Sequence, residues 1–133
     1  PPGACIFVGN RADRHYCATT GTQILANPSV YDGQLIRVSG WLVAGDGEDL
    51  GLFLTKDSLD AAELFGSVSL RGPEAASIAS YARRANSLFN PVSARVCGRF
   101  HLYGLAPDGT RAPQKGTNGN ARFGLIDEVG CVP

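Results

Sequence analysis

Four cysteines and two histidines are the residues of this chain best suited to chemistry. Cys97 and His101 fall on the same face of one predicted strand. An extended chain advances about 3.3 Å per residue, which places these two residues about 13 Å apart. A nucleophile and its base must lie within hydrogen-bond reach, so this pair cannot act as one. We therefore predict no catalytic residue and no enzyme.

Metal binding is the second chemistry that these residue types could support. Cys5, His15 and Cys17 would supply three ligands, but no fourth ligand is evident. The chain has no Cys-x-x-Cys pair, whereas zinc sites usually contain close pairs of ligands. The acidic loop 44–49 lacks the ordered ligand spacing of a calcium-binding EF-hand. We expect neither a metal nor a cofactor.

Disulfides explain the four cysteines better than free thiols do. An even cysteine count in a small chain indicates a disulfide framework, and such bridges form in oxidising compartments. Cys5 with Cys17 is the local pairing, and it leaves Cys97 to pair with Cys131. A Cys5–Cys131 bridge that ties the two ends together is the main alternative, since spacing alone does not select a pairing.

Bulk composition limits the classes of protein to consider. A chain of 133 residues with 44% hydrophobic residues predicts one globular domain, 1–133. Twelve basic and twelve acidic residues cancel, which disfavours nucleic acid and anionic membranes as partners. No apolar run approaches the roughly 20 residues that span a bilayer. The lack of Met and of a signal segment predicts a processed periplasmic or secreted form, or a lipoprotein with its lipid anchor upstream.

Alternating apolar residues predict five strands with one helix between the third and the fourth. The predicted strands are 34–43, 50–55, 67–71, 92–103 and 121–129, and the helix is 74–89. Gly40 and Gly98 interrupt the apolar rows of the two long strands, where a glycine often marks a bend. A short helical segment is predicted within 18–27, and 104–120 forms a long Gly/Pro/Asn loop.

A bent five-stranded sheet with a helix in this position can close into an OB-like barrel. The segment 27–40, with its Asn27-Pro28-x-x-Tyr31-x-Gly33 turn, resembles the opening of small bacterial exported OB-like domains, many of them lipoproteins. The resemblance implies a mostly β OB-fold and export rather than an activity. We expect 31–133 to form the barrel and 1–30 to pack on it as an N-terminal extension.

A binding face is predicted on the outward rows of the two long strands, with added bases from the loop 104–120. Trp and Arg are the residue types that contribute most binding energy at interfaces. The candidate ligand-binding or partner-binding residues are Arg37, Trp41, Arg95, Arg99, Tyr103, Arg111 and Lys115. A basic strip of Arg95, Arg99 and Arg122 with Tyr103 would suit the single-stranded nucleic-acid alternative. Burial of Trp41 under residues 1–30 is the alternative to ligand contact.

These observations favour a non-enzymatic exported binding module that recognises a protein or a small ligand. An immunity-type inhibitor of a secreted antibacterial toxin is a specific version of this function. The alternatives are an oligosaccharide or single-stranded nucleic-acid binder that uses the barrel face, and a small hydrolase. Deletion of 106–118 is expected to abolish partner capture without unfolding the domain.

Overall fold

Strands dominate the parts of the chain that a computed structural model describes, which are residues 6–11, 14–45, 50–85, 92–102 and 122–131. The strands are β1 (Ile6–Arg11), β2 (Arg14–Ala18), β3 (Leu35–Ala44), β4 (Leu50–Phe53), β5 (Ser67–Leu70), β6 (Val92–Leu102) and β7 (Gly124–Gly130). The helices are α1 (Gly21–Ala26), α2 (Pro28–Tyr31), α3 (Lys56–Asp60) and α4 (Ala75–Ala85), with a 3₁₀ turn at Leu64–Gly66. All five predicted barrel strands are present.

The barrel closes because β3 pairs on both sides. Its strand order is β3-β4-β5-β7-β6, and β6 pairs back onto β3. The β5–β7 pair is parallel, and the other barrel pairs are antiparallel. The helix α4 connects the third barrel strand to the fourth, and α1 precedes the barrel. The predicted mostly β, OB-like barrel, with these two helical features, is therefore confirmed.

A hairpin that the sequence did not predict as such lies before the barrel. Strands β1 and β2 pair antiparallel, with an irregular register between Gly9 and Arg11. Strand β2 then runs parallel to β3, where Cys17 pairs with Ile36. The N-terminal part of the chain thus joins the sheet at the strand that also closes the barrel.

The inward rows of the long strands fill the barrel. Ile36 and Val38 of β3 and Val96 and Phe100 of β6 are fully or almost fully buried, as their alternation predicts. Ile24 of α1 belongs to the same core cluster, so the segment before the barrel is packed onto it. Full burial of one such side chain stabilises the fold by roughly 1.5–3 kcal/mol.

Gly40 and Gly98 interrupt the apolar rows because other chain segments approach them closely. A Cβ at Gly40 would overlap the carbonyl oxygen of Phe53, and one at Gly98 would overlap Ile126. The β6–β7 register also shifts at Gly98. The extra residue lies on β7, since Cys97 and Arg99 pair with Gly130 and Asp127, so a β-bulge of β7 lies opposite Gly98.

The predicted disulfide between Cys97 and Cys131 is present, with the two Cα atoms 5.3 Å apart. It rules out the alternative Cys5–Cys131 bridge. Cys17 is also disulfide-bonded, and Cys5, its predicted partner, lies outside the described residues. A disulfide framework fits a protein of an oxidising compartment.

Candidate binding face and pocket

The outward rows of β3 and β6 place aromatic, hydroxyl and basic side chains side by side. Their middle portion, here called the tryptophan–arginine face, consists of Arg37, Ser39, Trp41, Ser93 and Arg95. Ser39 lies directly opposite Arg95, and Trp41 lies directly opposite Ser93. Opposite residues have Cβ atoms about 5 Å apart and diagonal ones about 7–8 Å apart. Arg95 is therefore a diagonal neighbour of both Arg37 and Trp41.

The two arginines of this face have no counter-charge among the described residues. Arg95 is exposed and Arg37 is half-buried. Within the described part of the chain, neither side chain forms a hydrogen bond or an ion pair. Two positive charges therefore lie close together without a described counter-charge, an arrangement that suits an anionic group.

Arg99 lies on the same row of β6 but is engaged within the protein. Its guanidinium donates a hydrogen bond to the Gly33 carbonyl oxygen at 2.7 Å. It also lies 3.6 Å from a carboxylate oxygen of Glu128. Arg99 therefore fixes the turn before β3 to the edge of the face, and its charge is partly neutralised.

Arg122 does not join Arg95 and Arg99 in the basic strip that the nucleic-acid alternative would use. Arg122 is only 8% exposed, and its guanidinium donates a hydrogen bond to the Ser67 hydroxyl at 3.0 Å. Gly51 makes room for it, since a Cβ at that position would overlap the guanidinium. The side chain is thus part of the packing around β4 and β5 rather than of a binding surface.

The remaining predicted residues divide into two groups. Tyr103, Arg111 and Lys115 lie outside the described residues, as does most of the acidic loop 44–49. Cys97 forms a disulfide with Cys131, and His101 is half-buried on β6. In the portion of the chain that is described, no group of three or more His, Cys, Asp or Glu residues is placed to hold a metal.

A pocket of about 340 Å³ opens beside Trp41. It lies where the segment before α1 approaches β3 and the start of α3. The residues around it include Thr19, Thr22, Ser39, Trp41, Leu54 and Lys56. Thr22 and Ser39 are exposed and Trp41 is half-buried, so the lining combines aromatic, aliphatic and hydroxyl-bearing residues.

The hydroxyl groups around the pocket differ in what they already bind. Thr20 and Thr55 cap α1 and α3, and each accepts a hydrogen bond from a helix amide at 3.1 Å. The Thr19 hydroxyl oxygen, in contrast, is buried without a hydrogen-bond partner among the described residues. Thr22 and Ser39 likewise have side chains with no described partner. The hydroxyl groups of the two exposed residues, Thr22 and Ser39, are therefore available to a ligand.

The sequence pattern indicates Trp41 as a candidate binding residue but does not indicate the pocket next to it. The pocket combines residues 19–22 with residues 39–41 and 54–56, and no local pattern indicates that these three segments meet. For the segments around the pocket, the sequence offers only a weak signal. Thr20 and Thr55 each stand where a helix begins, which suits an N-cap.

The fold and the site together define a small disulfide-bonded OB-like barrel with a basic, tryptophan-bearing face. Among the described residues, no helix is long and apolar enough to cross a membrane. No family model, no curated protein and no solved structure matches the chain. Function is therefore inferred from the face and the pocket.

Proposed function

We propose that this protein is a non-enzymatic, exported binding module that recognises an anionic partner through the tryptophan–arginine face. One observation carries the proposal. Arg37 and Arg95, without a described counter-charge, lie diagonal to each other on the face that also holds Trp41. Arginine and tryptophan contribute most of the binding energy at interfaces when a partner removes them from water.

The backbone beneath the face supports this proposal because it is held on several sides. The β3–β6 ladder runs continuously from Leu35–Arg99 to Leu42–Val92. Ile36 and Val38 anchor its inner side in the core, and the disulfide of Cys97 ties β6 to the residue after β7. A preorganised surface loses little conformational entropy when it binds.

Export to a bacterial periplasm, as a free protein or a lipoprotein, is part of the proposal. Its support is the disulfide together with the resemblance of the Asn27-Pro28-x-x-Tyr31-x-Gly33 turn to exported OB-like domains. An immunity-type inhibitor of a secreted antibacterial toxin is the specific version. A basic face bearing an aromatic residue suits an inhibitor that must cover an acidic cleft.

A capture experiment with charge-matched variants tests this function. The immobilised wild-type domain, Arg37→Glu/Arg95→Glu and the control Arg71→Glu/Arg84→Glu are each incubated with the periplasmic and secreted fractions of the native host. Arg71 and Arg84 are exposed and lie outside the face, so both variants change the net charge equally. Bound proteins and glycans are identified by mass spectrometry.

The proposal predicts a bound species that the face variant loses and the control variant keeps. Equal retention of every bound species by all three proteins would refute the role of the face. Single-stranded oligonucleotide is included as a separate probe. A salt-dependent gel shift that Arg37→Glu/Arg95→Glu abolishes would replace the proposed partner with nucleic acid, against the expectation from a net charge of zero.

A further inference from the structure

The geometry points to an acidic saccharide as the ligand, with its sugar ring in the pocket beside Trp41 and its carboxylate on Arg95; this inference rests on the proposed function. The pocket and the basic face meet at Ser39. Ser39 lines the pocket, and on the neighbouring strand it lies directly opposite Arg95. A ligand that fills the pocket therefore comes within reach of the guanidinium.

The walls of the pocket match the two surfaces of a sugar ring. A pyranose ring has an apolar face of C–H groups and an edge of hydroxyl groups. The half-buried indole of Trp41 offers a flat apolar surface for the C–H face of the ring. The hydroxyl groups of Thr22 and Ser39 suit the hydroxyl edge of the ring, because a hydroxyl both donates and accepts hydrogen bonds.

The size and charge of the site narrow the ligand further. A volume of about 340 Å³ lies at the lower end of the range of small-molecule pockets, roughly 300–1,000 Å³. Lys56 is already paired with Asp60 at 2.8 Å. Arg95 and Arg37 thus remain as the cations that would recognise a carboxylate, and arginine binds that group with two parallel hydrogen bonds.

The single tryptophan of the chain makes the test direct, because its fluorescence reports on this pocket alone. Three probes are titrated into the wild-type protein: tetragalacturonate, the neutral cellotetraose, and hexaglutamate, which has carboxylates but no sugar. Isothermal titration calorimetry is run in parallel, so that Trp41→Ala can be measured as well. Far-ultraviolet circular dichroism and a free-thiol count confirm that each variant is folded and oxidised.

We expect tetragalacturonate to bind more tightly than either other probe and to change the Trp41 emission. Arg95→Gln should weaken its binding by about tenfold and leave cellotetraose binding unchanged. Trp41→Ala should weaken both saccharides by about tenfold or more, whereas the control Arg84→Gln should change neither.

Two results would overturn the saccharide inference while the proposed function stands. The first is the absence of saccharide binding at concentrations up to about 10 mM, a limit that corresponds to very weak affinity. The second is equal affinity for tetragalacturonate and hexaglutamate, which would show that charge alone is recognised. Equal affinity for tetragalacturonate and cellotetraose would overturn the role of Arg95. Failure of the proposed function itself is seen separately, when Arg37→Glu/Arg95→Glu retains every captured species.

Discussion

Ser39 and Arg95 face each other across the β3–β6 ladder on the outer side of the barrel. Both residues are exposed, and neither side chain has a partner among the described residues. Ser39 also lines the pocket beside Trp41. A charge placed at position 39 would therefore act on the stability of the sheet and on ligand binding at once.

The substitution Ser39→Glu is predicted to stabilise the domain by roughly 0.2–1 kcal/mol at low salt. A carboxylate directly opposite Arg95 forms a cross-strand ion pair. Since exposed ion pairs are screened by salt, the gain should vanish near 1 M NaCl. Urea unfolding at both salt concentrations measures the effect, with Ser39→Gln as the uncharged control. The same variant should bind tetragalacturonate more weakly, because the new carboxylate occupies Arg95.

Identical unfolding midpoints for Ser39→Glu and Ser39→Gln at low salt would contradict the proximity of positions 39 and 95. The β3–β6 register would then need revision by one or more residues. A shift of one residue moves every outward side chain to the inner face. This simple stability measurement therefore tests the arrangement on which the proposed site depends.

Removal of the Cys97–Cys131 disulfide is predicted to lower the free energy of unfolding by about 3–4 kcal/mol. The two cysteines are 34 residues apart in the sequence, and the chain-entropy model gives this loss for a closed loop of that length. Urea unfolding of Cys97→Ala/Cys131→Ala, compared with the wild-type protein, measures it. Ser93→Ala, an exposed change on the same strand, serves as the control and should differ by less than about 0.5 kcal/mol. A loss below about 1 kcal/mol would show that the unfolded chain is already constrained in this region.

Replacement of Arg122 is predicted to lower the stability of the domain, whereas replacement of Arg95 is predicted to leave it almost unchanged. Arg122 is buried and donates a hydrogen bond to Ser67, so Arg122→Ala should destabilise the fold by about 2 kcal/mol or more through lost packing and the loss of that hydrogen bond. Arg95 is exposed, so Arg95→Ala should change stability by less than about 0.5 kcal/mol. Thermal unfolding and tetragalacturonate titration separate the two effects. An Arg122→Ala variant that is as stable as the wild-type protein but binds tetragalacturonate more weakly would contradict the burial of Arg122 and place its side chain in the binding face.

Strand alternation made the barrel predictable where one side of a strand meets the core and the other meets water. In β3, Ile36 and Val38 are buried, whereas Ser39 is exposed. Strand β4 is buried along its whole length, so alternation there does not distinguish inward from outward residues. Its position follows instead from its apolar composition and from the turn signals on either side.

The short helices were less predictable because capping positions decide them. Helix α3, which covers Lys56–Asp60, begins at the N-cap Thr55. The Asn27-Pro28 pair ends α1, because the residue before a proline disfavours the helical conformation. Pro28 also starts α2, because proline suits the first position of a helix. A proline can therefore end one helix and begin the next.

The site was only half predictable for a different physical reason. Alternation indicates which side chains of a strand point outward, and it correctly placed Arg37 and Trp41 on one face with Ser39. It does not indicate which distant segment lies across that face. The approach of residues 19–22 to Trp41, and the burial of Arg122 over Gly51, depend on tertiary contacts that no local pattern encodes.

The substitution Gly21→Ala is predicted to open the pocket from its N-terminal side. Gly21 is the first residue of α1, and a Cβ there would overlap the carbonyl oxygen of Leu54. A backbone atom cannot rotate away, so α1 must move outward at a cost of about 1–3 kcal/mol. That movement would expose Trp41 to water, and its fluorescence emission should shift to longer wavelength.

The control for this last prediction is Gly33→Ala, which changes backbone strain without changing the space around the pocket. A Cβ at Gly33 would meet nothing within 4 Å, but its φ of +81° disfavours any side chain. Gly33→Ala should therefore cost roughly 1–2 kcal/mol and leave the emission of Trp41 unchanged. If both variants lose stability and only Gly21→Ala shifts the emission, the segment 19–22 forms a wall of the pocket. An unchanged emission in Gly21→Ala would show that α1 does not shield Trp41, and it would remove Thr22 from the ligand site, because Thr22 depends on the same close approach.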